Sequence, residues 1–347
     1  VLRLSGLITV TDCIDAGLAP ESRVGRLTGF YSGVSRLGSA AGMALGGVLC
    51  DAIGFSAEFV LFALLTACAA PYALFCAFGS LPAISGTAAA KAKASTGGRC
   101  ASVLALRAPQ WRLFFLAFSA SCAGNGLIVS TLGAILGAHA TASDDGGGSA
   151  IALGAGVVVS TATLNGGLLG FRWSVEGFLA PLWGAVIDRC GWRRVAPTAF
   201  SLSSAMGALS FSLLRAAEAT AGEASAVLLS GALLSVIGVF FLFSVADLCV
   251  KAMGVAARET PLLVMGDDLG AAVGPLLGFT ILQARLPPSS IFAAQSIIHA
   301  AAAAVATAAA LAKVSLSPKL RPTDGENFVE LEEDAAEVAP AAASSAK

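Results

Sequence analysis

The segment that decides the fold reads Gly184-Ala-Val-Ile-Asp188-Arg189-Cys-Gly191-Trp192-Arg193-Arg194 and joins two long apolar runs. Its carboxylate stands at the end of the first run, and three arginines follow it closely. A carboxylate at a helix end can cap the positive N-terminus of a neighbouring helix, and arginines favour the cytoplasmic side of a bilayer. The segment therefore predicts a short, charged, cytoplasmic loop between two membrane helices.

The whole chain is far more apolar than a water-soluble domain. Hydrophobic residues make up 56% of its 347 residues, charged residues only 12%, and the mean hydropathy is +0.81, whereas soluble domains carry about 25% charge. A membrane helix needs about 20 mostly apolar residues. We therefore predict an all-α membrane protein with one partial span and eight complete ones, near 1–18 (partial), 27–50, 56–78, 111–137, 157–187, 195–214, 225–248, 260–283 and 290–312.

The sequence offers little material for cofactor, metal or nucleic-acid chemistry. The eight cysteines lie mostly inside apolar runs without a CxxC pair, and His139 and His299 are the only histidines, so we expect no metal and no other cofactor. The basic residues are scattered, which argues against a nucleic-acid partner. The chain contains no GxxxxGK[ST], HExxH, HxxxH or GxSxG motif, so we expect neither ATP coupling nor an enzyme.

The distribution of basic residues predicts the orientation in the membrane. Alternate loops contain most of the 21 lysines and arginines, Lys251 and Arg258 among them, whereas the opposite loops contain only Arg215 and Arg285. Cytoplasmic loops carry the excess of basic residues in membrane proteins. The loop at 184–194 and the C-terminus are therefore predicted to be cytoplasmic.

The composition of the connecting segments predicts four regions. Residues 1–78 would form an incomplete N-terminal half with one partial and two complete helices. Residues 79–110, rich in Ala, Gly and Ser and carrying several basic residues, would form a cytoplasmic linker. Residues 111–313 would form a six-helix half, and the acidic residues 314–347 a disordered cytoplasmic tail.

The chain contains an internal repeat, because the segment 35–46 aligns without a gap on the segment 267–278. The matched glycines are Gly38, Gly42 and Gly46 in the first copy and Gly270, Gly274 and Gly278 in the second. Parallel repeats of this kind build two transporter halves around a central site. The alternative is ordinary small-residue packing between membrane helices, which would explain the glycine spacing but not the matched depth.

These motifs resemble those of the major facilitator superfamily. The segment 184–194 matches the GxxxDRxGxRR pattern of that family's motif A, between its eighth and ninth helices. The first repeat copy has the glycine spacing of motif C of its drug:proton antiporters, with Met43 in place of a proline, and the second copy has Gly274-Pro275. The resemblance implies helices 4–12 of a twelve-helix bundle with two pseudo-symmetric halves, about nine spans in all, with helices one to three lying outside this sequence.

The resemblance also implies a gating role for the motif A loop. Its residues would form a latch that breaks and forms again as the two halves rock against each other. The residues of this gating motif are Gly184, Asp188, Arg189, Gly191, Arg193 and Arg194. The alternative is a signal for membrane topology alone.

Several polar residues fall inside the predicted spans and are candidates for substrate or ion binding. They are Arg36, Arg172, Glu176, Asp267 and Asp268, with Asn125 and Asn165 as further candidates. A charge at mid-bilayer costs about 2.5–3.5 kcal/mol on insertion scales, so it usually faces a partner or an aqueous cavity. Arg172 and Glu176 lie four residues apart and can instead satisfy each other. Asp267 and Asp268 point about 100° apart on a helix, so at most one of them faces a cavity.

Two contacts follow if the fifth and eighth helices pack together as they do in the family that the sequence resembles. Arg36 would lie near Glu176, because their estimated heights in the membrane differ by only about 3 Å. Asp188 would reach the start of the helix that begins near Arg26, where backbone N–H groups lack intrahelical acceptors.

These inferences lead to one functional hypothesis and one rival. The chain would carry a small-molecule substrate across a lipid bilayer by alternating access, driven by the substrate's own gradient or by an ion gradient, with protons as the candidate ion. The rival is a non-transporting membrane receptor or scaffold derived from a carrier fold.

Overall fold

The computed structural model describes residues 23–79, 108–142, 149–153 and 157–312. The predicted partial helix 1–18, nearly all of the predicted linker and the predicted tail lie outside these ranges. Eight helices occupy most of the described residues, and their positions match the eight complete predicted spans. They are α1 Val24–Ile53, α2 Phe55–Gly79, α3 Ala108–Ala138, α4 Thr161–Cys190, α5 Trp192–Ala219, α6 Glu223–Ala256, α7 Thr260–Gln283 and α8 Ser290–Leu311.

Four of the eight described helices have the length and composition that a bilayer span requires. By length and composition, α3, α6, α7 and α8 can each cross a membrane. Helices α1 and α4 reach 30 residues, but they carry buried charged residues that lower their mean hydropathy. Large apolar side chains point outward, as at Phe30, Leu276 and Ile297, which are 64%, 69% and 69% exposed. Lipid tails can cover such a surface, whereas water cannot do so without promoting aggregation.

Two apolar cores define the two ends of the bundle. One core contains Val24 of α1, Ile187 of α4 and Leu263 of α7. We call this end of the bundle the Asp188 end, after the residue that follows Ile187. The other core contains Leu136 of α3 and Ile291 of α8. We call this end the Asp51 end, after an aspartate near the last residue of α1. Helices α1 and α7 both begin at the Asp188 end, so the two repeat-carrying helices run in the same direction, as the sequence predicts.

Helix α3 changes its winding in the middle. Its segment Ser121–Ile128 is a π-helix between two α-helical segments. Such wide turns are uncommon and are often found at functional sites. In α3 the π-helix presents Gly126 to Gly274 of α7 and contains the candidate residue Asn125.

A small antiparallel sheet follows α3 at the Asp51 end. Its strands are β1 Thr141–Ala142, β2 Ser149–Ala152 and β3 Val158–Ser160, in the order β1-β2-β3, with Ile151 opposite Val159. The side chain of Ile151 is fully buried in the core of this end. The sheet is an addition to the predicted all-helical architecture, and it leads the chain directly into α4.

Candidate functional site

Helices α1 and α4 run antiparallel and touch backbone to backbone along a contact that we call the seam. A Cβ atom at Gly29 would lie 2.3 Å from the carbonyl oxygen of Ala180, and one at Gly47 would lie 2.6 Å from that of Ala162. Real Cβ atoms do not approach backbone this closely, so only glycine allows the two helices to meet at these positions. Small residues are the usual means of close approach between membrane helices.

A proline adds to the closeness of the seam. Pro181 has no N–H group, so the carbonyl of Gly177 loses its intrahelical donor. That carbonyl oxygen faces α1, and a Cβ at Gly33 would lie 2.4 Å from it. The glycine therefore lets α1 cover a backbone group that would otherwise lie unsatisfied in the apolar interior.

The motif A loop caps the start of α1. The Asp188 carboxylate accepts hydrogen bonds from the backbone N–H groups of Gly25, at 2.8 Å, and Arg26, at 3.1 Å. These N–H groups lie in the first turn of α1, where no intrahelical acceptor exists. The contact predicted from the sequence is therefore confirmed.

The other residues of the motif shape the loop around this cap. Gly191 has φ of 78° and joins the end of α4 to the start of α5, a backbone conformation that favours glycine. Gly184 lies on the seam, where a Cβ would come 2.2 Å from the carbonyl oxygen of Gly25. Arg189 belongs to the last turn of α4, and the Arg193 guanidinium lies 5.5 Å from the ring centre of Trp192. The backbone N–H of Arg194 donates to the Gly191 carbonyl.

We expect Asp188→Ala to loosen the seam at this end, because the first turn of α1 loses both acceptor oxygens. Loss of a helix cap costs about 1 kcal/mol. A cysteine placed at Val24, which is buried in the first turn of α1, should therefore react faster with a maleimide, by roughly fivefold. Asp188→Asn keeps one acceptor oxygen and should give an intermediate rate. An alanine variant that reacts at the unmodified rate would contradict this role of the cap.

Four buried charged residues meet between α1, α4 and α6, and we call them the charge cluster. Arg36 Nε donates to Glu176 Oε1 at 3.0 Å, and Lys251 Nζ lies 3.4 Å from the same oxygen. Lys251 also donates to Asp247, one turn before it on α6. All four residues are at most 9% exposed. The predicted contact between Arg36 and Glu176 is confirmed. Helix α6 supplies a second cation, Lys251, to the same carboxylate.

A cavity of about 30 Å³ adjoins the charge cluster. Its polar lining comes from Tyr31, Ser32, Arg36, Asp247, Lys251 and Asp267. This volume holds one or two water molecules and is too small for an organic solute. Of the neighbouring aspartates, Asp267 is buried at the cavity, whereas Asp268 is exposed. The expectation that at most one of the two faces a cavity therefore identifies Asp267.

Arg172 lies fully buried beside the charge cluster and contacts a different set of groups. Its Nη2 donates to Asn125 Oδ1 on the π-helix of α3. Its guanidinium lies 4.2 Å from the ring centre of Trp173, and that of Arg36 lies 4.3 Å from the same ring centre. The hydrogen bonds of Glu176 go to α1 and α6. The structure thus brings the candidates Arg36, Arg172, Glu176 and Asn125 together.

Sequence reasoning missed two members of the charge cluster. It ended the helix at residue 248 and assigned Lys251 to a cytoplasmic loop, but α6 continues to Ala256 and Lys251 is buried inside the bundle. The prediction that Lys251 lies in a cytoplasmic loop is therefore wrong. Asp247 is not among the residues predicted from the sequence. The available signal was the spacing, since Asp247 and Lys251 stand four residues apart within an apolar run and can pair on one helix face.

Asn165 lies away from the charge cluster, at the Asp51 end. It lines a wider groove of about 520 Å³ between α1, α2 and α4, together with Gly46, Cys50 and Glu58. Its Oδ1 has no hydrogen-bond donor among the described residues. The structure therefore separates Asn165 from the other candidate binding residues.

The glycines of the two repeat copies behave differently. In the second copy, a Cβ at Gly270 would lie 2.4 Å from the Phe118 carbonyl oxygen, and Gly274 and Gly278 also meet α3 closely. In the first copy, no described atom lies within 4 Å of a Cβ at Gly38 or Gly42, and only Gly46 has a close neighbour. The described helices therefore do not pack through Gly38 and Gly42, and packing through these two glycines stays a prediction.

The apolar helices, the close seam and the capped loop define a polytopic helical membrane protein. Residues 4–175 match the model of the Major Facilitator Superfamily. This match supports assignment of the chain to the major facilitator superfamily, a family of membrane transporters. The matched residues end before the segment 184–194, so the family match does not depend on the motif A loop. No curated protein and no solved structure matches the chain.

Proposed function

We propose that the chain moves a small solute across the membrane by alternating access, and that the charge cluster and its cavity take part in binding the solute or a coupling ion. The observation that carries this proposal is the burial of Arg36, Glu176, Asp247 and Lys251 at one place on three helices. Ionisable residues inside a membrane protein are costly and mostly mark transport pathways.

The charge cluster includes a contact between the two proposed halves, which would move relative to each other during transport. Arg36 belongs to α1, in the first of the two proposed halves, and its acceptor Glu176 belongs to α4, in the second. Rocking of the halves would break this pair while leaving the Asp247–Lys251 pair, which lies within α6, intact. A buried ion pair contributes little net stability compared with apolar packing, so its presence favours a switching role over a structural one.

The chemistry of Glu176 suits proton coupling. Its Oε1 accepts from both cations, whereas its Oε2 is buried and has no donor among the described residues. While Arg36 and Lys251 contact Oε1 they favour the ionised carboxylate, so proton uptake at Oε2 would follow the separation of Arg36 from Glu176 as the halves rock. The proton would then replace the Arg36 charge and keep α1 released from α4 at mid-seam. We therefore propose protons as the coupling ion and Asp267, at the same cavity, as a second carboxylate on the pathway.

The orientation and the division into halves belong to the same proposal. The Asp188 end would face the cytoplasm, since Arg23, Arg26, Arg189, Arg193 and Arg194 all lie there. The motif A cap would then close the cytoplasmic side of the seam and open when the halves rock. The candidates Arg172 and Asn125 would contact the solute from the side of α3.

Uptake and efflux by proteoliposomes containing the full-length protein test this proposal. The panel contains sugars, organic acids and cationic drugs, each measured with and without a pH gradient. We expect transport of at least one solute class, with a rate that depends on the gradient. In the Glu176→Gln variant the transport rate should no longer depend on the pH gradient, because a glutamine amide does not take up or release a proton in the pH range of the assay. A folded protein that transports no member of the panel would favour a receptor or scaffold instead.

A further inference from the structure

At the Asp51 end of the seam, a carboxylate caps a helix, and none of the sequence motifs predicts this cap. Asp51 Oδ1 accepts from the Ser160 hydroxyl at 2.6 Å, and its Oδ2 accepts from the backbone N–H of Thr163 at 3.1 Å. The Thr163 hydroxyl also donates to Oδ2. Ser160 directly precedes α4, and Thr163 lies in its first turn. A carboxylate near the end of α1 therefore caps the start of α4.

This contact mirrors the cap at the other end. Asp51 is the third residue from the end of α1, and Asp188 is the third from the end of α4. Each accepts from the backbone N–H of the third residue of the partner helix, Thr163 for Asp51 and Arg26 for Asp188. Because the helices are antiparallel, each one supplies a cap to the other. The seam is thus fastened at both ends, with the charge cluster between them.

We propose that Asp51 is a positioning residue that holds the Asp51 end of the seam closed, and that its release is the step that admits or discharges solute at that end. The inference rests on the proposed alternating-access function. The hydrogen bonds between Asp51 and the start of α4, which we call the Asp51 latch, are exposed, so water can replace the protein donors and the contact is reversible. The groove beside it is lined by Cys50 and Asn165, and separation of α1 from α4 would widen this groove.

Distances between spin labels measure the latch without reference to transport. One label pair, at Ile53→Cys and Val158→Cys, spans the Asp51 end, where both native side chains are exposed. A second pair, at Arg23→Cys and the exposed native Cys190, spans the Asp188 end. All other cysteines are replaced. We expect Asp51→Ala to raise the ratio of long to short distances about tenfold for the first pair, equivalent to about 1.4 kcal/mol, and to leave the second pair unchanged.

Partner and control variants separate the latch from a loss of charge. Thr163→Val removes one hydroxyl donor and should shift the first pair in the same direction by a smaller factor. Glu223→Gln removes an exposed carboxylate at the same end of the bundle, away from the seam, and should shift neither pair. Asp51→Asn, which keeps one acceptor, replaces the alanine variant if that variant does not fold.

The outcomes of the two proposals are distinguishable. If Asp51→Ala leaves the distances of the first pair unchanged, or if Glu223→Gln changes them equally, the latch is wrong even in a protein that transports. If the distances shift as expected while no variant and no parent protein transports any solute, the latch stands and the proposed function fails.

Discussion

Glu176→Gln is expected to cause the largest loss of stability and transport among the substitutions that neutralise one member of the charge cluster. The carboxylate pairs with Arg36 and also contacts Lys251, whose second acceptor is Asp247, so its loss removes the carboxylate partner of the buried Arg36. Removal of one partner from a buried ion pair costs about 3–5 kcal/mol. The melting temperature in detergent should therefore fall strongly, and the uptake rate should drop by at least about tenfold.

The matched control for this prediction lies on α7. Asp268→Asn removes a carboxylate that is exposed beside the buried Asp267. Its melting temperature and uptake rate should stay close to those of the unmodified protein. Equal losses from Glu176→Gln and Asp268→Asn would mean that the structure assigns the buried carboxylates wrongly.

Charge reversal tests the same cluster with greater resolution. Arg36→Glu and Glu176→Arg should each abolish transport, and the double variant should recover part of it. The recovery is limited by Lys251, which lies 3.4 Å from the carboxylate oxygen of residue 176 and would face an arginine there. Adding Lys251→Gln should therefore improve the double variant further. A triple variant no better than the worse single one would argue against this arrangement.

Gly29→Ala is expected to be a strongly damaging small substitution on the seam. Its Cβ would lie 2.3 Å from the carbonyl oxygen of Ala180 and 2.8 Å from the carbonyl carbon. Backbone atoms cannot move aside as a flexible side chain can, so α1 and α4 must separate. Overpacking of this kind costs about 1–3 kcal/mol. We expect a lower melting temperature and a weakened contact between Arg36 and Glu176, seen as a loss of uptake.

Gly38→Ala on the same helix is the control for this prediction. No described atom lies within 4 Å of a Cβ at Gly38, and alanine is more favourable than glycine inside a helix by about 0.5–1 kcal/mol. The melting temperature should therefore stay constant or rise slightly. If Gly29→Ala and Gly38→Ala have the same effect, close backbone contact does not hold the seam together.

The contacts at Asp188 and Arg36 could be predicted because they depend on height along a helix rather than on rotation about its axis. A rise of about 1.5 Å per residue converts sequence separation into depth. Once α1 and α4 are assumed to be neighbours, Arg36 and Glu176 must meet at nearly equal depth. The cap by Asp188 follows in the same way, since one helix ends where the other begins.

The membrane class and the positions of the eight described helices were determined by the sequence alone, because long apolar runs are stable as helices wherever they lie in a bilayer. Which face of each helix turns inward was decided only by the tertiary structure. In a soluble helix an apolar stripe marks the buried face, but a membrane helix is apolar towards both lipid and protein. For that reason the sequence did not predict which of Asp267 and Asp268 is buried, or that Lys251 is buried and Gly38 exposed. The contact between Asp51 and the start of α4 was not predicted either.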